Sequence, residues 1–321
     1  MTTTLTPFDL DRWKVDFAGA AASHGGFAVG GPTTAPAPTP IIPPTPAVTP
    51  PAFKPSAGKF FRPNGEEYFP RKVTSGGLST TDVAFIQQAY AKRMSVLMAG
   101  APGCGKTALI EAALEGVITV QGSLDTEVSD FVGQWVQTPD GTYAWEDGPL
   151  LIAMDTAKPL LIDEIALIDP RTLAVVYSAM DGRGEVAVSS NPLRGTVKAK
   201  DGFMVFGCYN PDVPGAVVSD ALLSRFTIKS DMTTDWTVAK KLGVCTEVIK
   251  VATNLNLKLA SDEITAAPQL RELIAFRDVE AVFGLDAAIA NLLSFAHPED
   301  VGAYQEACQA IWSKMPKPLA F

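Results

Sequence analysis

The stretch GAPGCGKT, residues 100–107, decides how the rest of the chain is read. It fits the pattern G-x-x-x-x-G-K-[ST], and its surroundings matter more than the pattern. An apolar run, SVLMA, leads in, and TALIEAALE, with helical spacing, leads out. A strand, a glycine-rich turn and a helix are the parts of a phosphate-binding loop. Gly100, Gly103 and Gly105 let the backbone fold so that successive N–H groups face one anion, with Ala101, Pro102 and Cys104 filling the turn. The helix N-terminus adds partial positive charge. Lys106 is expected to reach the β- and γ-phosphates of ATP, and the Thr107 hydroxyl to ligate Mg2+.

Two downstream segments complete this reading. PLLIDEIALI, residues 159–168, is an apolar strand ending in Asp163 and Glu164. At the C-terminal end of a sheet strand, Asp163 would hold Mg2+ and Glu164 would orient the attacking water. The plainer alternative is an acid pair opening a helix. FMVFGCYNP, residues 203–211, is a second buried strand, ending in Asn210 and stopped by a proline. Asn210 either faces the γ-phosphate or simply forms an Asn-Pro turn.

Working outward, the segments from about residue 79 alternate between helix and strand, which predicts an α/β fold. Helices are expected over TTDVAFIQQAYAKR, capped by Ser79 or Thr80, and over KTALIEAALEG, closed by Gly116, with VITVQ as another strand. The expected architecture is a P-loop NTPase parallel sheet flanked by helices over residues 59–235. An Asn64-Gly65 hairpin leads it. Residues 236–321 read as helical throughout and form a small all-helical lid domain. Residues 1–31 are a tail in which FDLDRWKVDF is either unstructured or a docking peptide. Residues 32–58 are a proline-rich linker, since proline at this density excludes helix and central strand. Two inserts read as hairpins: residues 126–150, turned at Asp140-Gly141, and residues 185–203.

Composition narrows the function. The chain has 321 residues, 47% of them hydrophobic, enough for sizeable cores, and a net charge of −9. Such an acidic chain is a poor candidate for holding nucleic acid by bulk electrostatics. The cysteines, Cys104, Cys208, Cys245 and Cys308, show no metal or disulfide spacing, and there are two histidines. No signal peptide and no membrane span are read, so the expected location is the cytoplasm. Cys104 is either a loop filler or an oxidation point.

The phosphate loop (Walker A), Asp-Glu strand (Walker B), Asn-ended strand, Ser-Arg-Phe helix end and helical lid, in this order, resemble an AAA+ ATPase. Within that superfamily the chain is similar to the MoxR and dynein-related group, which includes the cobaltochelatase small ATPase subunit and the Q-type rubisco activase. The finer likeness rests on DGPLLIAMDTAKPLLIDEIALIDP (147–170), VYSAMDGRGEV (176–186), NPDVPGAVVSDALLSRF (210–226) and LRELI (270–274), within roughly residues 79–295. The resemblance implies that Asn210 is sensor 1, Arg225 an arginine finger and Arg271 sensor 2. Gln269 and Leu270 stand where related chains often carry Ser or Thr before that arginine, which makes Arg277 the second candidate.

The resemblance further implies a ring, commonly a hexamer, with Arg225 serving a neighbour's site. It also implies a protein client, remodelled as a MoxR-like chaperone would, and a von Willebrand factor A domain partner. The two inserts would line the pore or touch the client; alternatively, their aromatics only pack the hairpins down. The rival readings are a nucleic-acid motor of a viral or mobile element, using Arg194, Lys198 and Lys200, and a non-catalytic nucleotide scaffold. The presence of Lys106, Asp163, Glu164 and Arg225 argues against the scaffold.

Overall fold

The computed structural model describes residues 58–74, 76–313 and 317–319. Contacts divide the chain between Ala47 and Val48, and all described residues belong to the unit Val48–Phe321. The tail, with FDLDRWKVDF, and nearly all of the proline-rich linker lie outside the described residues.

β1 (Phe60–Phe61) and β2 (Glu67–Tyr68) pair antiparallel around the Asn64-Gly65 turn. β3 (Lys72–Val73) pairs with β4 (Thr80–Thr81). Thr81, the last residue of β4, also caps α1 (Asp82–Ala91): its hydroxyl accepts the Ala84 N–H at 3.2 Å. The cap expected at Ser79 or Thr80 moves accordingly. β5 (Val96–Ala99) leads into the glycine-rich loop and α2 (Lys106–Ala113), followed by β6 (Ile118–Gln121). α2 stops before Gly116, because Leu114 is already extended.

Next come α3 (Val128–Val132), β7 (Gly133–Gln137), β8 (Tyr143–Asp147), α4 (Pro149–Thr156) and β9 (Pro159–Asp163). α5 (Pro170–Met180), β10 (Glu185–Ala187), β11 (Thr196–Lys198), β12 (Met204–Tyr209), α6 (Asp220–Arg225) and β13 (Ile228–Asp231) complete the α/β part. The remainder is helical: α7 (Trp236–Lys241), α8 (Thr246–Ala260), α9 (Leu270–Phe283), α10 (Leu285–Ser294) and α11 (Val301–Trp312).

Five strands form one parallel sheet in the order β13-β5-β12-β9-β6. The three central strands are apolar and almost wholly buried, as a sheet covered on both faces requires. Alternate residues serve opposite faces. Leu97, Leu160, Ile162 and Val205 join one core with Phe131, Leu150, Leu173, Val176 and Leu222. Val96, Met98, Leu161, Met204, Phe206 and Cys208 join the other with Val83, Ile86, Leu109 and Ile110. The helical part has its own core, built on Val248, Leu255, Leu273, Phe276, Ile289 and Tyr304.

Both inserts are hairpins. β7 pairs with β8, and β10 with β11. The first leaves and rejoins the domain at a pinch. The Gly148 N–H donates to the Val132 carbonyl at 2.9 Å. A Cβ on Gly133 would lie 2.1 Å from the Glu146 carbonyl oxygen, and one on Gly148 would lie 2.5 Å from that of Phe131. Only glycine allows so close an approach of two backbones.

The hairpins are also tied to each other. The Trp135 indole N–H donates to the Ser190 carbonyl at 3.1 Å. Arg194 forks onto Asp147 at 2.9–3.1 Å and also pairs with Asp155. Burial works against the ionised form of Asp147, but bonds from Arg194 and Trp145 outweigh it and hold its carboxyl below the usual range. Among the described residues, no helix is long and apolar enough to cross a membrane.

Candidate functional site

Sheet order builds the site. β12 lies between β5 and β9, so the loops leaving the C-terminal ends of these three strands converge. The Gly100 N–H donates to the Tyr209 carbonyl at 3.2 Å, fastening the start of the glycine-rich loop to the end of β12. Lys106 opens α2 and is buried, at 6% exposure. Its ammonium donates to the carbonyls of Gly100 at 2.7 Å and Ala101 at 3.1 Å, which holds it over the loop it belongs to.

Thr107 and Asp163 meet across the gap between loop and neighbouring strand end. The Thr107 hydroxyl donates to Asp163 Oδ2 at 2.5 Å, and Asp163 Oδ1 accepts the Glu164 N–H at 3.1 Å. Glu164 adopts the left-handed region at φ 51°, which turns the chain sharply off the strand. For a residue with a Cβ this is a sparsely populated conformation, of the kind found at active sites. The acid pair therefore ends a strand and turns; it does not open an α-helix.

Asn210 is buried at 4% exposure, and its carbonyl oxygen accepts the Asp212 N–H at 3.2 Å. The turn-forming use of Asn210 is therefore real, and it occupies the oxygen of the side chain. Cys104 is fully buried beneath the loop, as a filler would be. Burial, and after it the nearby Asp163 charge, pushes the Cys208 thiol well above its ordinary value.

The helical part reaches the loop through the start of α9. A Cβ on Gly103 would lie 2.8 Å from Arg271 Cβ, so Arg271 sits directly against the loop. Gln269 joins three segments here. Its carbonyl accepts the Thr234 hydroxyl at 2.5 Å, its amide donates to Asn256 at 2.9 Å, and its own N–H is taken by Glu272 at 2.9 Å. Arg277 lies deeper in the lid, donating to the Leu242 carbonyl at 2.6 Å and pairing with Asp278.

Arg225 is not part of this cluster. It ends α6, where Leu222 is fully buried and Phe226 nearly so, and it is itself exposed. Its carbonyl accepts the Ser95 hydroxyl at 3.1 Å, and β13 then starts beside Val96. Ser95 precedes β5, whereas the loop follows it. Five residues of extended chain, about 16 Å, separate Ser95 from Gly100.

One residue of the site has no sequence signal. Arg71, in the β2–β3 segment, is 8% exposed and donates to the Cys104 carbonyl at 2.5 Å and the Thr233 carbonyl at 3.2 Å.

The chemistry of the donors fits Mg-ATP. Glycines, a buried ammonium and a helix N-terminus suit a polyphosphate. One hydroxyl and one carboxylate suit Mg2+, which keeps most of its shell as water and phosphate oxygens. Among the described residues, no group of three or more His, Cys, Asp and Glu side chains offers an all-protein metal cage.

Residues 95–226, which span β5 to the end of α6, match the AAA domain (dynein-related subfamily). Midasin of Dictyostelium discoideum is 31% identical over 143 residues, 41% of this chain and 2% of that protein. The denitrification regulatory protein NirQ of Stutzerimonas stutzeri is 32% identical over 129 residues, 39% of this chain and 46% of NirQ. An uncharacterized protein of Staphylococcus haemolyticus is 27% identical over 220 residues, 62% of this chain and 82% of its own length. The chain thus spans a small part of midasin and under half of NirQ. Motif order, strand order and the matched domain agree: residues 95–226 form a domain similar to the AAA domain of the dynein-related subfamily.

Proposed function

We propose that this chain hydrolyses Mg-ATP within a ring of its own copies and uses the cycle to remodel or activate a protein client. The position of Arg225 carries the ring reading. An arginine side chain reaches about 7 Å, and its own loop begins about 16 Å away along β5. A cation held there serves a neighbouring copy's nucleotide far more readily than its own.

Within one site, the loop N–H groups and Lys106 bind the β- and γ-phosphates. Thr107 and Asp163 would hold Mg2+, which when bound neutralises phosphate charge. The sharp turn at Glu164 presents its carboxylate as the base that orients water and takes its proton. The Asn210 carboxamide, its oxygen engaged by Asp212, turns its NH2 to the γ-phosphate side. Arg271 reads the same nucleotide from the lid, so binding and hydrolysis bear on lid position.

The tied hairpins form the client face. Trp135, Tyr143 and Leu193 are 47%, 65% and 94% exposed there. The basic residues that a nucleic-acid reading would use are engaged by carboxylates: Arg194 by Asp147 and Asp155, Lys198 by Glu185, and Lys200 by Asp155. That pairing favours a protein client, with a von Willebrand factor A domain protein as the expected partner.

The test is sedimentation of the full chain with and without ATP, alongside phosphate release. Assembly with ATP and turnover that rises with protein concentration support the proposal. A monomer with full turnover removes the ring.

A further inference from the structure

Arg71 is a buried cation beside the phosphate loop whose side-chain hydrogen bonds, among the described residues, go to carbonyls and none to a carboxylate. Its Nε is buried with no partner among the described residues. Burying a guanidinium on these terms is costly, so what it holds is informative.

Its backbone is clamped. The Arg71 N–H donates to Asp82 Oδ1 at 3.0 Å, and the Asp82 N–H returns a bond to the Arg71 carbonyl at 3.0 Å. The same carboxylate takes the Val83 N–H at 2.7 Å and the Tyr68 hydroxyl at 2.6 Å. With the main chain fixed, the side chain is aimed at two places. One is the Cys104 carbonyl, inside the loop. The other is the Thr233 carbonyl, between the end of β13 and the start of α7, next to the Thr234 that bonds Gln269.

Covalent geometry makes the first contact directional. In a trans peptide the C=O and the following N–H point opposite ways. Drawing the Cys104 carbonyl onto Arg71 therefore turns the Gly105 N–H away from it, toward the phosphate side. A Cβ on Gly105 would lie 2.8 Å from Arg71 Nη2, so glycine and guanidinium are fitted to one another. A planar fork spans two carbonyls in a way an ammonium does not.

We propose that Arg71 is a positioning residue for nucleotide binding, which orients the Gly105 N–H and ties the loop to the segment leading into the lid. This rests on the nucleotide-site reading above. The experiment is titration of the full chain with a fluorescent ADP, without Mg2+, alongside the thermal midpoint of the nucleotide-free protein. Arg71→Met is expected to weaken ADP binding about 10- to 100-fold, the range of one charged hydrogen bond lost. Arg71→Lys should fall between it and wild type. Tyr68→Phe, which loosens the Asp82 clamp and leaves the fork in place, should lower the midpoint and keep ADP affinity.

A folded Arg71→Met chain with wild-type affinity overturns the proposal. If Arg71→Met does not fold, Arg71→Lys decides. Weaker binding at an unchanged midpoint supports the role, and wild-type binding overturns it. A wild-type chain that takes no ADP removes the underlying reading, which is a distinct failure.

Discussion

The Arg225 guanidinium lies 5.7 Å from the centre of the Tyr177 ring. Tyr177 belongs to α5 and is nearly buried, so the ring is a fixed platform under an exposed cation. On the proposed reading, Arg225 is a finger held ready on this platform. Arg225→Ala is expected to keep ADP affinity and lose about 10³-fold or more in turnover. Tyr177→Leu should cost several-fold, the scale of a cation–π contact. Mixing Arg225→Ala with Glu164→Gln tests the direction of action, because each supplies what the other lacks. Phosphate release regained in the mixture supports action between copies; an inactive mixture of confirmed mixed assemblies counts against it.

Thr107 and Asp163 share one hydrogen bond and present hard oxygen atoms from two loops. Chelation with EDTA is expected to abolish turnover. Asp163→Asn should lower it at least about 100-fold at saturating Mg2+ while ADP still binds without the metal. Magnesium titrations of phosphate release check this, and an unaltered Mg2+ dependence in Asp163→Asn would exclude that role.

Glu164 follows Asp163 in a left-handed turn that few residues with a Cβ adopt. Glu164→Gln keeps size and turn but removes the proposed base. Turnover is expected to fall about 10²- to 10⁴-fold with ATP affinity retained. Single-turnover chemistry at the wild-type rate would show that another group handles the water.

Arg194 holds the two hairpins together through Asp147. Arg194→Ala should redden Trp135 emission and increase its quenching by acrylamide, with ATP turnover within about two-fold of wild type. The Asp147 carboxyl is held below its ordinary value of about 3.9. Its contribution to stability is therefore complete above that value and lost as pH falls through the lower folded value. The hairpin contact should be insensitive to pH between 5 and 8 and release only in stronger acid. A fluorescence transition near pH 6 would point to another group.

The loop, the Asp163–Glu164 pair and the end of β12 were legible because each is a contiguous run whose neighbours in sequence are its neighbours in space. The lid helices were legible for the same reason: α8 is long and periodic, and its bounds coincide with the run TEVIKVATNLNLKLA. What needed distant partners was not legible. Ser79, Thr80 and Thr81 all look like caps, and only the pairing of β4 with β3, which runs through Thr81, delays the helix start to Asp82. Arg71 lies 33 residues before Cys104, so nothing local marks it. Gln269 looked like a departure from the pattern of related chains. Its amide reaches both Thr234 and Asn256, two bonds that a serine or threonine is too short to make.

The glycine pinch at Gly133 and Gly148 carries a consequence for how such a protein diversifies. A segment that departs and returns through one point behaves as a cassette. Residues 134–146 can be lengthened, shortened or rewritten while the strands that align Lys106, Asp163 and Asn210 stay where they are. Evolution, or an engineer, can therefore rewrite this exposed hairpin without retuning the phosphate loop, provided both glycines are kept.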